Sequence, residues 1–314
     1  MNLPEYYRKK SIDDIFNIPT FRTCWTIWKP EIDRKLGENY SATDILNLGD
    51  TLSEIFKMTG QGGRDQGSLS GGGTAWEALV CWYLNLCMIN SRAVAIRRMS
   101  LIPKHIQDSI TVNYSNFPCN TESDITVLIF PDSPDYNNNI EEVSLNRGSI
   151  FNDFLAVDNS LNINVLDSLI ERDFNLFEIG IIQCKTNWND NAQIPMLWDM
   201  IYSSGGFTGR NITIGRNNYS IQNCHKFTYS FVTVPTNQRS NYTSGSVAVQ
   251  RVYNLSGGNY WGKPTSQNIC RSIKEIFNNN FQSAFRGIGA RGCINLKIQA
   301  LNDSNEEYSY FHLY

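Results

Sequence analysis

Apolar residues recur at three- and four-residue spacing through the first sixty positions, from Pro4 to Phe16 and from Ser41 to Phe56. That period predicts amphipathic helices, the second behind a Ser/Thr/Asp cap at Ser41-Ala-Thr-Asp44. A glycine-rich stretch, Gly60 to Gly73, interrupts the pattern and lacks the GxxxxGK[ST] spacing of a nucleotide P-loop. Thr74 to Leu86 is then almost wholly apolar, a predicted helix with Thr74 placed to cap it and Glu77 in its first turn. Residues 108–130 and 176–186 read as core strands, and Asp190 to Tyr202 as a helix with Pro195 in its first turn, where proline is tolerated. Lys226 to Pro235 alternates as a strand, Ser266 to Phe281 returns to a helical pattern, and Gly292 to Ala300 reads as a late strand. Helices, strands, a helix and more strands predict one α/β domain over residues 1–314, with an N-terminal helical elaboration.

Composition narrows the class. At 314 residues, with 41% hydrophobic and 18% charged side chains, the chain is an ordinary globular protein able to bury a sizeable core. The first ten residues hold no apolar leader segment, and no run approaches the roughly 18 apolar residues of a membrane span, so a cytoplasmic protein without membrane contact is expected. The eight cysteines form no CxxC pair and are expected as reduced, structural thiols. A net charge of −3 conceals an uneven distribution. Met200 to Lys274 contains no acid but eight basic residues, whereas Cys119 to Asp199 holds fourteen acids against Arg147, Arg172 and Lys185. This points to a polyanion-binding half joined to a metal-binding half.

The candidate chemistry lies in the acidic half. Ile179-Gly-Ile-Ile-Gln-Cys-Lys-Thr186 is a buried strand whose end turns polar, and strand periodicity puts Gln183 and Lys185 on one face with Cys184 on the other. About sixty residues upstream, Thr121-Glu-Ser-Asp124 opens a second apolar run, Ile125 to Phe130. If the two strands are neighbours, as in a hairpin with a long insertion at 131–175, Asp124 joins the cluster. An acid, an oxygen-bearing side chain and a lysine at adjacent strand ends suit a Mg²⁺-dependent phosphodiesterase. The oxygens hold the cation and the ammonium steadies developing negative charge.

On these residues the chain resembles the PD-(D/E)xK nuclease superfamily, in particular the type II restriction endonucleases, over about residues 74–202. The resemblance implies a mixed central β-sheet flanked by helices, a restriction-endonuclease-like core. It also implies Mg²⁺-dependent hydrolysis of double-stranded DNA by a metal-activated water at a specific sequence. Asp124 matches the metal-binding acid, Gln183 the second acid and Lys185 the lysine, while Glu77 resembles an acid that some members supply from the helix preceding the sheet. Catalytic roles thus fall to Asp124, Gln183, Lys185 and Glu77, and metal ligation to Asp124, Gln183 and Glu77. Gln183 departs from the pattern, because an amide is neutral and a weaker ligand. Either Glu77 supplies the missing charge, or the chain is a non-cleaving DNA-binding relative; a structure-specific nuclease of the same fold is a further alternative.

Within this frame residues 1–73 are the elaboration, 74–202 the catalytic core, and 203–314 a basic DNA-recognition region with closing strands. Loops of that region offer Arg210, Asn211, Arg216, Asn217, Asn237 and Arg239, residue types that read base edges in the major groove. A palindromic target implies a homodimer. Simpler roles stand beside each of these. Asp124 would cap a turn, with Glu122 as its rival, and Glu77 would serve its own helix end. Lys185 would sit at an exposed strand end, and Asp199 would be a structural helix residue.

Overall fold

The computed structural model describes residues 1–60, 72–120, 123–140, 163–186, 193–233, 247, 260–261, 273–303 and 307–313. Three helices open the chain: α1 (Leu3–Phe16), α2 (Pro19–Leu36) and α3 (Ala42–Lys57). Each start is built from local chemistry. The Asn2 side chain accepts from the Glu5 N–H, Pro19 occupies the first turn of α2, and Ser41 and Asp44 cap one another's backbone reciprocally. Gly37, with φ +76°, ends α2 in a conformation that costs a side-chain-bearing residue energy.

Helix α4 (Gly72–Cys87) is buried along most of its length, which explains its nearly continuous apolar sequence. It starts two residues before Thr74, so Thr74 lies inside the helix rather than capping it. The chain continues as β1 (Ala93–Ile96), α5 (Lys104–Ile110), β2 (Val112–Tyr114), β3 (Phe117–Cys119) and β4 (Ile125–Ile129). After α6 (Pro134–Asn137) and α7 (Ile163–Asp173) come β5 (Glu178–Lys185), α8 (Gln193–Ser204), β6 (Gly206–Phe207), β7 (Ile212–Ile214), β8 (Lys226–Thr233) and β9 (Tyr260–Trp261). Short helices α9 (Glu275–Asn280), α10 (Gly289–Asn295) and α11 (Ile298–Leu301) follow.

The architecture is mixed α/β. Its central sheet has the order β1-β4-β5-β8-β9, antiparallel from β1 to β5 and parallel from β5 to β9. Strand β5, central and covered on both faces, is buried from Glu178 to Cys184. One face sends Ile125, Val127, Ile182 and Cys184 toward α1–α4, in a core that includes Trp28, Trp76 and Trp82. The other sends Leu128, Ile179 and Ile181 toward a second cluster with Ile106, Leu166, Ile170, Trp198 and Tyr202 from α5, α7 and α8. The N-terminal helices therefore supply a main layer of the core. A smaller antiparallel sheet, β3-β2-β7-β6, packs beside this second cluster.

Three expectations change. Within 108–130 only β4 enters the central sheet, because residues 104–110 coil into α5 and the β2–β3 hairpin joins the smaller sheet. The late strand at Gly292 to Ala300 is instead α10 and α11. Buried Ala290, Cys293, Ile294 and Leu301 follow helical spacing, and Leu296, which fitted an alternating strand, is 69% exposed. The described end of the 203–314 region is therefore helical and contributes no closing strands after β9. Of the helix expected at 266–281, the described part is α9, and residues 266–272 lie outside the described set. All seven described cysteines are free thiols, and no described helix is long and apolar enough to cross a membrane.

Strand β1 lies at the sheet edge, where backbone groups would otherwise be left bare. Asn85 of α4, fully buried, accepts from the Ala95 N–H at 3.0 Å and donates to the Ala95 carbonyl at 2.7 Å. The Ser11 hydroxyl donates to the same carbonyl at 2.7 Å. Two side chains thus satisfy the outward-pointing pair at Ala95 as a neighbouring strand would. Asn85→Ala strands the Ala95 N–H in the core, and a loss of about 2–4 kcal/mol in urea unfolding is expected. Unchanged stability would show that the edge does not depend on this amide.

Candidate active site

The register of β4 on β5 decides the geometry of the site. Ile125 pairs with Ile182, so one further step brings Asp124 opposite Gln183. The expected neighbourhood of the two strands is present, with the insertion between them running through α6 and α7. Strand β4 begins at Ile125, and Asp124 sits just outside the ladder: its Oδ2 accepts from the Cys184 N–H at 2.6 Å. Ser123 and Thr126 share a hydroxyl contact of 2.7 Å just before the strand. Glu122 lies outside the described residues.

Gln183 is fully buried on the Ile179/Ile181 face, and its Oε1 accepts from the Tyr229 hydroxyl at 2.5 Å. Lys185 ends β5 opposite Thr233, on the same face and half-buried, with no ion pair to another described residue. Cys184 points the other way, toward α4. Burial pushes its thiol well up, the negative charges of Asp124 and Glu77 add to that, and Lys185 opposes it. Asp124, Glu77 and Lys185 are thus electrostatic neighbours around one thiol. Glu77, however, lies on the α4 side, where Arg97 holds its Oε2 with bonds of 3.1 and 2.9 Å.

The site that assembles is therefore Asp124, Gln183 and Lys185, with Glu77 behind the sheet and neutralised by a guanidinium. Among the described residues no group of three or more His, Cys, Asp or Glu side chains is placed to hold a metal ion. A carboxylate and an amide oxygen on adjacent strands do suit Mg²⁺, which prefers oxygen donors and retains several waters. One negative charge instead of two implies weak binding. Sequence reasoning missed Tyr229 and Arg97. The only signal for Tyr229 was a phenol hydroxyl on the Phe227/Phe231 phase of an alternating strand.

The DNA-reading candidates are spread over the smaller sheet. Arg210 and Asn211 lie between β6 and β7; both are exposed, and the Asn211 carbonyl accepts from Ser115 N–H at 2.7 Å. This end of β7 pairs with Tyr114, whose ring meets Trp198 midway along α8. Arg216 and Asn217 lie beyond the other end. Asn217 and Asn218 take positive φ values of 51° and 69° in a tight turn closed between Arg216 and Tyr219, and the Asn217 amide donates to Asp108 at 2.8 Å. Tyr219 packs on Phe174, and His225 N–H bonds to the Phe177 carbonyl, so this turn sits at the Glu178 end of β5. The eight residues of β5 put roughly 23 Å between that end and Lys185. The structure does not bring Arg216 and Asn217 to the Asp124 cluster. Asn237 and Arg239 lie outside the described residues. Among the other basic groups, Lys274 pairs with Asp50 at 2.6 Å and Lys226 donates to the Asn280 carbonyl at 2.9 Å, both structural uses.

No family model matches the chain, and no curated protein or solved structure gives a significant match.

One acid of α8 is unusual. Asp199 of α8 is buried beside Ser203, which donates to it at 3.1 Å, and burial lifts its carboxyl from 3.8 to about 6. The folded state then holds a proton that the unfolded chain releases. The stability this adds is complete below about pH 4 and is lost as pH rises through 6. Asp199→Asn removes the ionisation, so at pH 8 the variant should be more stable by up to about 3 kcal/mol, and near parity at pH 4. Denaturant unfolding at the two pH values checks this; equal offsets at both would show that Asp199 is not protonated by burial.

Proposed function

We propose that the chain is a Mg²⁺-dependent, sequence-specific endonuclease of double-stranded DNA, of the PD-(D/E)xK type II restriction class, acting as a homodimer on a two-fold target. The observation that carries this reading is the β4–β5 register. It sets a carboxylate opposite an amide oxygen, with a lysine two residues further along the same face at the end of a buried strand. The mixed central sheet with helices on both faces is compatible with a restriction-endonuclease-like core.

When bound, Mg²⁺ would polarise the scissile phosphate and lower the pKa of the attacking water. Asp124 and Gln183 are the residues to hold it, and the ammonium of Lys185 is placed to balance the charge that builds on the phosphate oxygens. The hydrogen bond from Cys184 N–H orients the Asp124 carboxylate and costs it one lone pair. Glu77 is a poor ligand while Arg97 holds it. The same facts favour a second reading, a DNA-binding protein that does not cleave: one acid is an amide, and Asp124, Gln183 and Glu77 all have protein partners.

Purified protein incubated with bacteriophage DNA should give discrete fragments with Mg²⁺ and none with EDTA. Lys185→Ala should slow cutting by about a hundredfold or more. A smear would indicate a structure-specific or nonspecific nuclease, and intact but gel-shifted DNA would establish the non-cleaving reading.

Arg210 and Arg216 should differ. On a panel of single base-pair variants of the site, Arg210→Ala is expected to lose about 1–3 kcal/mol and relax discrimination at one position. Arg216→Ala, remote from the cluster, should leave discrimination unchanged. The reverse outcome would place the reading surface at the Glu178 end of the sheet.

A further inference from the structure

We infer that two copies of this chain pair through the outward face of α8, two-fold about Leu197. A helix on the surface of a globular protein normally turns its charged and polar residues to water. Helix α8 reverses this. Its outward positions are Ile194, Leu197 and Met200, exposed to 46%, 52% and 39%, followed by Ser203 and Ser204. Its one charged residue, Asp199, is buried on the inner side with Trp198, Ile201 and Tyr202. Ile194, Leu197 and Met200 belong to neither core cluster, so they do not hold the fold together, and water disfavours them.

Spaced three residues apart, these side chains form one ridge oblique to the helix axis, the shape that packs into a groove of another helix. The apolar surface continues onto the β2–β3 hairpin. Phe117, 69% exposed, pairs with Tyr114 across that hairpin, and cross-strand partners share a face. The Tyr114 ring meets Trp198 at 6.2 Å, so this face is the one turned to α8. Other exposed large apolar residues, such as Ile27 and Leu296, have no such neighbour on their own element and are ordinary.

Charge decides what covers the ridge. DNA or an anionic lipid surface would call for a basic face, and a different protein is commonly matched by opposite charge. In a two-fold pair a patch meets itself, so any charge near the axis would face its like. The outward face of α8 carries no charge from Ile194 to Ser204. Leu197, the middle residue of the ridge, then packs on its own counterpart. The ridge is short, and contacts below about 1,200 Å² in total belong to weak association, so a dissociation constant of about micromolar order is expected. Helix α8 follows β5 in the chain, so the pair would hold two Lys185 strand ends in one fixed relation. The ridge itself does not depend on the nuclease reading.

The test is sedimentation equilibrium of the full chain without DNA, from about 1 to 100 μM, a range that brackets such a constant. The parent should pass from monomer to dimer across it. Leu197→Glu and, separately, Met200→Glu should stay monomeric, with melting curves like the parent's in dilute solution to show that they fold. Leu197→Lys should also be a monomer. An equimolar mixture of Leu197→Lys with Leu197→Glu should regain the dimer, because opposite charges then meet at the two-fold axis. A parent that is monomeric throughout would overturn the inference and leave the ridge to another segment of the chain or to a different protein. A dimer that survives both glutamates, or a mixture no more associated than its components, would overturn it as well. Cleavage plays no part in this readout, so the nuclease reading stands or falls on its own assay.

Discussion

The pairing of Ile125 with Ile182 sets the register of two buried strands, and a slip of one residue would carry every side chain on them to the opposite face. Val127 on β4, like Ile182 and Cys184 on β5, belongs to the tryptophan-rich core under α1–α4. Leu128, Ile179 and Ile181 belong to the core under α5, α7 and α8. Because both faces are packed, neither strand has a polar side on which a shifted register would be tolerated. Asp124 and Gln183 are opposite one another as a consequence of apolar packing several residues away. The site inherits its geometry from the hydrophobic core.

Much of this was legible in the chain. The periodicity of Pro4 to Phe16 and Ser41 to Phe56, the cap at Ser41, and the apolar runs that became α4, β4, β5 and β8 all carry strong local signals. Failures came where two periods overlap. Ala290 to Leu301 offered apolar residues at both alternating and helical spacing, and burial of Cys293 and Ile294 together, with Leu296 left out, settled it in favour of helix. The stretch before β4 was equally ambiguous, since a helix of seven residues and strands of three are too short for any period to stand out.

In the site, the spacing of Gln183 and Lys185 follows from the strand period alone, but partners from distant elements do not. Glu77 reads in sequence as serving a helix start, but α4 begins at Gly72 and leaves it beyond the first turn, whereas Arg97, its partner, is twenty positions away and appears only in three dimensions. Asn217 has base-reading chemistry in sequence and a turn conformation with an Asp108 bond in the structure. Each such polar group is tied to another element: α4 to the residue after β1, β4 to β5, and β5 to β8. Buried polar side chains need partners, and here those partnerships join the strands that the candidate site requires to be fixed.

The amide of Asn85 has a consequence beyond stability. A sheet edge is a template on which another chain can add a strand, and the groups that invite it are outward-pointing N–H and C=O pairs. At Ala95 both are already occupied, by side chains from α4 and α1 that no incoming backbone can displace without opening the core. At that rung the central sheet offers an incoming strand neither a donor nor an acceptor, so edge-to-edge pairing there would have to break side-chain bonds first.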